Sequence, residues 1–201
     1  MSLPRKSSFT LAQPGFTLIE LMVVIAIAAI LLIVGIPSFQ AIINSNRLTS
    51  AANEMVAAIQ TARADAIRYN KRTEVCLSLN SNTANPTCAP DNTTTAKGWI
   101  VFVDLDKSGA YNVGDRLLRV ANVHEAVTVI ASPALINGTK VVFRSDGLAR
   151  TTTGLVLQGT VDMCIASGKN ENIRHVSIRG GSVSVIRATA AGACVAPANL
   201  S

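Results

Sequence analysis

The chain has 201 residues, 49% of them apolar, with 18 basic and 12 acidic side chains for a formal charge of +6. That length suits one domain with an appendage, the apolar content excludes intrinsic disorder, and 13 glycines without a period exclude collagen. A multi-span membrane protein is also excluded, since only one run approaches the roughly 18 apolar residues that a spanning helix needs.

Residues 1–15 are polar, carry Arg5 and Lys6, and end in Pro14-Gly15. From 16 to 36 the only ionisable side chain is Glu20, and 21–36 is an unbroken apolar stretch of 16 residues. As a helix, 16–36 extends about 31 Å, the hydrocarbon thickness of a bilayer, and reads as one membrane span. A cleaved signal peptide would carry its small-residue site after the apolar core, whereas Ala26-Ile27-Ala28 lies inside it. A buried core helix would not stay apolar on all faces for six turns. A plain anchor leaves Glu20 unexplained, because a carboxylate inside a span costs roughly 3 kcal/mol and calls for a partner.

The string Pro14-Gly15-Phe16-Thr17-Leu18-Ile19-Glu20-Leu21-Met22-Val23-Val24-Ile25 resembles the leader-peptidase site of type IV prepilins and type II secretion pseudopilins. The resemblance implies cleavage between Gly15 and Phe16 and N-methylation of the new amino terminus at Phe16. It also implies an assembly role for Glu20, whose carboxylate would pair with the amino group of Phe16 on a neighbouring subunit, two buried charges satisfying each other.

Gly35 and Pro37 end the apolar run and favour a kink. Beyond them Leu48, Ala52, Met55, Ile59, Ala62 and Ala66 recur at spacings of 4 and 3, one face of a helix whose other face holds Asn46, Arg47, Asn53, Glu54, Arg63, Asp65 and Arg68. The expectation is a helix from Phe16 to Tyr69, amphipathic over 37–70. A coiled coil is the other reading of this stripe, which is short and alanine-rich for one.

After Tyr69 short β-type runs take over, at 73–79, 99–105, 116–120, 126–130, 140–143, 155–157, 161–165, 173–178 and 183–187, separated by turn pairs such as Asn137-Gly138, Asp146-Gly147 and Gly180-Gly181. The fold class is α+β, with the long N-terminal helix packed on an antiparallel sheet or small sandwich. The organisation expected is leader (1–15), assembly helix (16–36), its amphipathic continuation (37–70) and a β-rich head (71–201). Four cysteines without a CxxC pair favour disulfides in an oxidising compartment. Local pairing would join Cys76 to Cys88 and Cys164 to Cys194; a zinc site of all four is the alternative, and spacing alone does not settle the connectivity.

Trp99-Ile100-Val101-Phe102-Val103-Asp104 followed by Gly114-Asp115-Arg116-Leu117-Leu118-Arg119 resembles the head of FimT/FimU minor pilins and of GspH pseudopilins. This resemblance implies the pilin fold and a minor pilin that initiates or caps a type IV pilus, in place of an enzyme. The alternatives are a GspH-type pseudopilin of a type II secretion system and a DNA-binding minor pilin for natural transformation. Implied partners are other minor and major pilins, the prepilin peptidase, the inner-membrane assembly platform and, in the last case, DNA. The implied location is the bacterial inner membrane, single-pass with the head in the periplasm, and then the fibre.

Two constellations in the head carry chemistry. Asp104, Asp106, Ser108, Gly109, Asn112 and Asp115 occupy positions 1, 3, 5, 6, 9 and 12 of an EF-hand-type loop, whose alternating oxygens and bend glycine suit calcium. Hairpin turn chemistry produces the same string without a metal. The second is basic: residues 16–137 hold nine basic and nine acidic side chains, whereas 138–201 hold seven and three. Lys140, Arg144, Arg150, Lys169, Arg174, Arg179 and Arg187 make up that surplus, and Arg174, Arg179 and Arg187 are the candidates for a nucleic-acid surface. Gly181-Ser182-Val183-Ser184 has serines where DNA-binding relatives resemble one another in Gly-Arg-x-Arg, and a solvated strand face is the other reading. No nucleophile elbow, phosphate loop, dinucleotide fingerprint or HExxH string is present, and His124 and His175 read as structural or exposed. The sequons at Asn92 and Asn137 carry little weight in a bacterial chain.

Overall fold

The structure, a computed structural model, describes residues 15–91, 96–166, 171–189 and 192–200, with the side chains of 34–38 left aside. The expected leader up to Pro14, Lys169, Asn92 and the side chain of Pro37 lie outside the described residues. The chain divides into two compact units, Met1–Gln40 and Ala41–Ser201. Helix α1 (Leu18–Tyr69, 52 residues) begins in the first and ends in the second.

In the first unit Thr17 is the N-cap: its Oγ1 accepts the Glu20 N–H at 3.2 Å, and its carbonyl accepts the Leu21 N–H at 3.2 Å. Thr17-x-x-Glu20 has the form of a capping box, so the acidic residue also suits the positive end of the helix. From Phe16 to Ile33, thirteen large apolar side chains are each at least half exposed. Among the described residues no helix is long and apolar enough to cross a membrane. The described side chains of the expected span stop at Ile33 and resume at Phe39, so part of that span falls outside them.

In the second unit the helical stripe is buried, with Leu48, Ala52, Met55, Ile59, Ala62 and Ala66 all in the core. The helix stops where Asn70 takes a left-handed φ of 50°; the Lys71 N–H reaches back to the Ala66 carbonyl at 3.2 Å and closes the end. Nine strands follow among the described residues: β1 (Thr73–Ser78), β2 (Gly98–Val103), β3 (Arg116–Asn122), β4 (Thr128–Ala131), β5 (Lys140–Phe143), β6 (Ala149–Arg150), β7 (Gln158–Cys164), β8 (Ile173–Arg179) and β9 (Ser182–Ala188). They form two antiparallel sheets, ordered β3-β2-β1-β5-β6 and β4-β7-β8-β9. The expected strand at 155–157 is corrected: Val156 makes only an isolated bridge to Arg150, because a turn at Thr151–Gly154 brings the chain straight back.

One core joins the helix stripe to Leu77, Trp99, Val101 and Phe143 of the first sheet and to Val161, Met163, Val176 and Ile178 of the second. Strands β1 and β2 are buried on both faces. Their outward residues Cys76, Ile100 and Phe102 form a smaller cluster with Cys88 and Tyr111, and the Phe102 and Tyr111 rings lie 5.5 Å apart. The chain segments carrying Cys88 and Tyr111 therefore fold back over the outer face, which explains why β2 reads as an apolar run instead of alternating.

Candidate functional site

At the N-terminus a Cβ on Gly15 would meet nothing within 4 Å, and the residue has no positive φ. Neither packing nor backbone conformation in the described chain accounts for a glycine there. Phe16 and Glu20 are both exposed, Phe16 at 86%.

The cysteines pair locally, Cys76 with Cys88 and Cys164 with Cys194. The zinc alternative is excluded, since no free cysteine is left. The first bridge fastens the 79–88 connection over β1, and the second ties the C-terminal tail to β7.

Residues 104–115 connect β2 to β3 as a tight hairpin loop. Backbone N–H groups converge on its carboxylates: Ser108 and Gly109 donate to Asp104 at 3.1 Å each, Ser108 donates to Asp106 at 2.9 Å, and Leu105 and Asn112 donate to Asp115 at 2.9 and 3.1 Å. The Asn112 amide bridges Asp106 and Ser108 at 2.9 and 3.0 Å. Positive φ at Lys107 (62°), Gly109 (71°) and Gly114 (127°) provides the bends. All five predicted oxygen-bearing residues thus meet, and carboxylate oxygens of Asp104, Asp106 and Asp115 lie within 4.8 Å of one another. The donated N–H from Ser108 and the Asn112 amide hold the Asp106 carboxyl down at about 2. Asp104 is buried and also meets Arg72, whose Nε is 3.3 Å away. The donor set is hard oxygen at short range and fits calcium chemically. Strands flank the loop, so it has no EF-hand helices.

The basic candidates separate. Arg174 and Arg179 lie an odd number of residues apart on β8 and point to opposite faces, while Arg187 is the register partner of Arg174 on β9. Arg174 points inward and is only 2% exposed; its guanidinium donates to the Glu171 and Ile173 carbonyls at 2.8 and 3.0 Å and to Ser45 Oγ of α1 at 3.0 Å. Its assignment to a nucleic-acid surface is corrected: it fastens the helix to the second sheet. Arg187 is a rim residue 3.3 Å from Glu171, and Arg179 is exposed on the other face. Arg63 of α1 donates to the Gly181 carbonyl at 2.5 Å, so the β8–β9 turn is held against the helix.

Residues that sequence reading missed are Glu74 and Asp162. Glu74 is buried beside Arg72, 2.5 Å away, and burial pushes its carboxyl up to about 7 despite that guanidinium. Asp162 is buried with its Oδ1 2.5 Å from His175 Nδ1, and burial raises its carboxyl above the ordinary range against the opposing pull of the imidazole. His124 is exposed and accepts the Ala126 N–H at 3.1 Å.

Comparison with known proteins returns one family for most of the chain. The family model of the type II transport protein GspH matches residues 51–182, and that of the prokaryotic N-terminal methylation motif matches residues 10–36. The type IV major alpha-pilin of Moraxella bovis is 34% identical over 134 residues, covering 63% of this chain and 82% of that protein. A fimbrial protein of Pseudomonas aeruginosa is 47% identical over 60 residues, which is 30% of this chain and 38% of that protein. The solved type IV minor pilin FimU of Pseudomonas aeruginosa aligns with a TM-score of 0.49 at 20% identity, covering 70% of this chain and 89% of that one.

Proposed function

Because the chain belongs to the GspH-like family of type IV pilins, we propose that it acts as a minor pilin, a non-enzymatic subunit that initiates or caps a type IV pilus. One observation carries this: the apolar residues from Phe16 to Ile33 are exposed around the whole helix, with no covering partner among the described residues. A helix that is greasy on every side is covered by lipid or by other helices, and a fibre subunit needs both in succession.

In this reading the prepilin peptidase cuts between Gly15 and Phe16 in the inner membrane, Phe16 is N-methylated, and the head lies in the periplasm until the assembly platform adds the subunit to its neighbours. The absence of any internal need for glycine at 15 supports an external reader of that residue. Thr17 caps the helix by accepting the Glu20 N–H, which leaves the Glu20 carboxylate for the Phe16 amino group of a neighbour. Glu20→Ala should leave cleavage intact and remove the subunit from sheared fibres. Normal incorporation would overturn the pairing.

The match to the GspH model favours a second reading, a pseudopilin of type II secretion with the same assembly physics. A deletion strain separates the two: loss of surface pili with normal exoprotein secretion sinks the secretion reading, and the reverse sinks the pilus reading. The convergence of Asp104, Asp106 and Asp115 supports a calcium ion in the head, where it would offset the crowded carboxylate charge and stiffen the β2–β3 loop.

A further inference from the structure

The two sheets end in four edge strands, β3, β6, β4 and β9, and three of these edges are blunted. Strand β3 carries a bulge: Val101 faces Arg119 and Phe102 faces Leu117, which leaves Leu118 extra. Strand β6 has two residues, and Val156 bridges to Arg150 beside it. Strand β4 has four residues, and Ala96 bridges to its Val129. Bulges, short strands and covering chain are the usual protections of a sheet edge.

Strand β9 has none of them. Its seven residues keep unbroken register with β8, from Ser182 opposite Arg179 to Ala188 opposite Ile173, and include no proline or lysine. Among the described residues no segment pairs with its far side. The β8–β9 connection is Gly180-Gly181, with a positive φ of 57° at Gly180 and none at Gly181. That is the pattern of a type II′ hairpin turn, in which the closing pair, Arg179 and Ser182, is hydrogen-bonded. By alternation from Ser182, the N–H and C=O groups of Val183, Val185 and Arg187 point away from β8.

The side chains point to the same kind of partner. Val185 and Ile186 are neighbours in a strand and therefore project to opposite faces of the sheet, yet they are 43% and 57% exposed. A partner lying on one face would cover only one of them. A strand added at the edge covers both and satisfies the outward backbone groups as well.

We propose that β9 accepts an extended strand from a neighbouring pilin subunit, antiparallel to it, with apolar side chains beside Val185 and Ile186 and an acidic one near Arg187. Helix direction argues against a second copy paired by two-fold symmetry. Helix α1 meets Arg174 at Ser45 and Gly181 at Arg63, so it runs opposite to β9, whose Arg187 faces Arg174. Two-fold pairing of β9 with itself would invert one helix against the other, whereas subunits anchored in one membrane share a helix direction. The donor's identity as a pilin rests on the minor-pilin reading above; the open edge does not.

The test uses the full chain in neutral detergent and a labelled peptide of about nine residues that alternates valine and threonine with one glutamate near its amino end, followed by fluorescence anisotropy. The peptide should bind saturably, and a fully N-methylated version, which has no backbone donor, should bind at least about tenfold more weakly. Val185→Pro removes an outward N–H and should also weaken binding at least about tenfold, whereas Val185→Thr keeps that N–H and the β-branched shape and should change it less than about threefold. Should Val185→Pro fail to fold by its melting curve, the N-methylated peptide decides alone. Absent binding, equal binding of the N-methylated peptide, or equal binding by a folded Val185→Pro chain overturns the open edge. Dimers of the chain alone that vanish in Val185→Pro would overturn the pilin donor and assign the edge to a second copy. In sheared fibres Val185→Pro should deplete the subunit at least about fivefold with normal leader cleavage, and undiminished incorporation overturns the pilin donor. Glu20→Ala should bind the peptide as the unsubstituted chain does, so failure of fibre assembly and failure of this edge are separate results.

Discussion

Arg174→Ala tests whether this arginine is part of the internal framework. The change removes donors from the Glu171 and Ile173 carbonyls and from Ser45 Oγ, three bonds of 2.8 to 3.0 Å. Acceptors that stay buried without a donor cost about 1 to 3 kcal/mol each. The void left by a long buried side chain adds a cavity term, within the roughly 2 to 5 kcal/mol seen for large-to-small core changes. Relief of an unfavourable burial offsets part of this, since burial and the nearby Arg187 charge hold the Arg174 pKa below that of an ordinary arginine. The net loss should be about 2 to 4 kcal/mol. Arg174→Met keeps most of the volume without the charge and should lose about 1 kcal/mol. Arg187→Ala, at a side chain 62% exposed, should lose under about 1 kcal/mol. Urea unfolding of the full chain in neutral detergent reports this directly, because the single tryptophan, Trp99, is fully buried in the same core. A loss below about 0.5 kcal/mol for Arg174→Ala, or a larger loss for Arg187→Ala, would refute the framework role.

Two further outcomes follow from the head. The Asp162 carboxyl has a folded pKa raised above its unfolded value of 3.8, so its contribution to stability is fully present below about pH 4 and is lost as pH rises through about 6. Stability should therefore fall between about pH 4 and 7, with Asp162 contributing at most about 3 kcal/mol and the raised Glu74 carboxyl a further part; Asp162→Asn should make that slope shallower, and an unchanged slope in the variant assigns the pH dependence elsewhere. Calcium titrated calorimetrically into the full chain should bind with a dissociation constant on the order of 10⁻⁴ to 10⁻³ M and stabilise it by about 1.4 kcal/mol at ten times that concentration. Asp106→Asn with Asp115→Asn should abolish the heat, and no heat from the unsubstituted chain ends the calcium reading.

How much was legible beforehand depended on the range of the interaction responsible. The helix stripe from Leu48 to Ala66 could be read because helical period and burial on one core are the same pattern. Strands bounded by Asn137-Gly138 or Gly180-Gly181 could be read because turn chemistry is local. The 155–157 run misled because Leu155, Val156 and Leu157 have strand character, yet a strand needs a partner in register and Val156 finds only one bridge. The aspartate loop was recognisable because its ligand spacing lies within twelve residues of sequence. Arg174 was misplaced because counting charges along the chain says nothing of which face of β8 each one occupies.

The amino-acid sequence by itself determined the family, the apolar N-terminal helix with Glu20 near its start and the α+β class, all set by neighbours within a few tens of residues, whereas the cysteine connectivity waited for the structure. Only the tertiary structure decided where the charges went. Sheet register turned Arg174 inward and drew Lys71, Lys107 and Arg144 from distant segments to one cleft. Of the basic surplus counted in the last third of the chain, that cleft takes Arg144. The physical reason is that charge has no period along a chain. Its meaning depends on distance and burial, which exist only once the strands have paired.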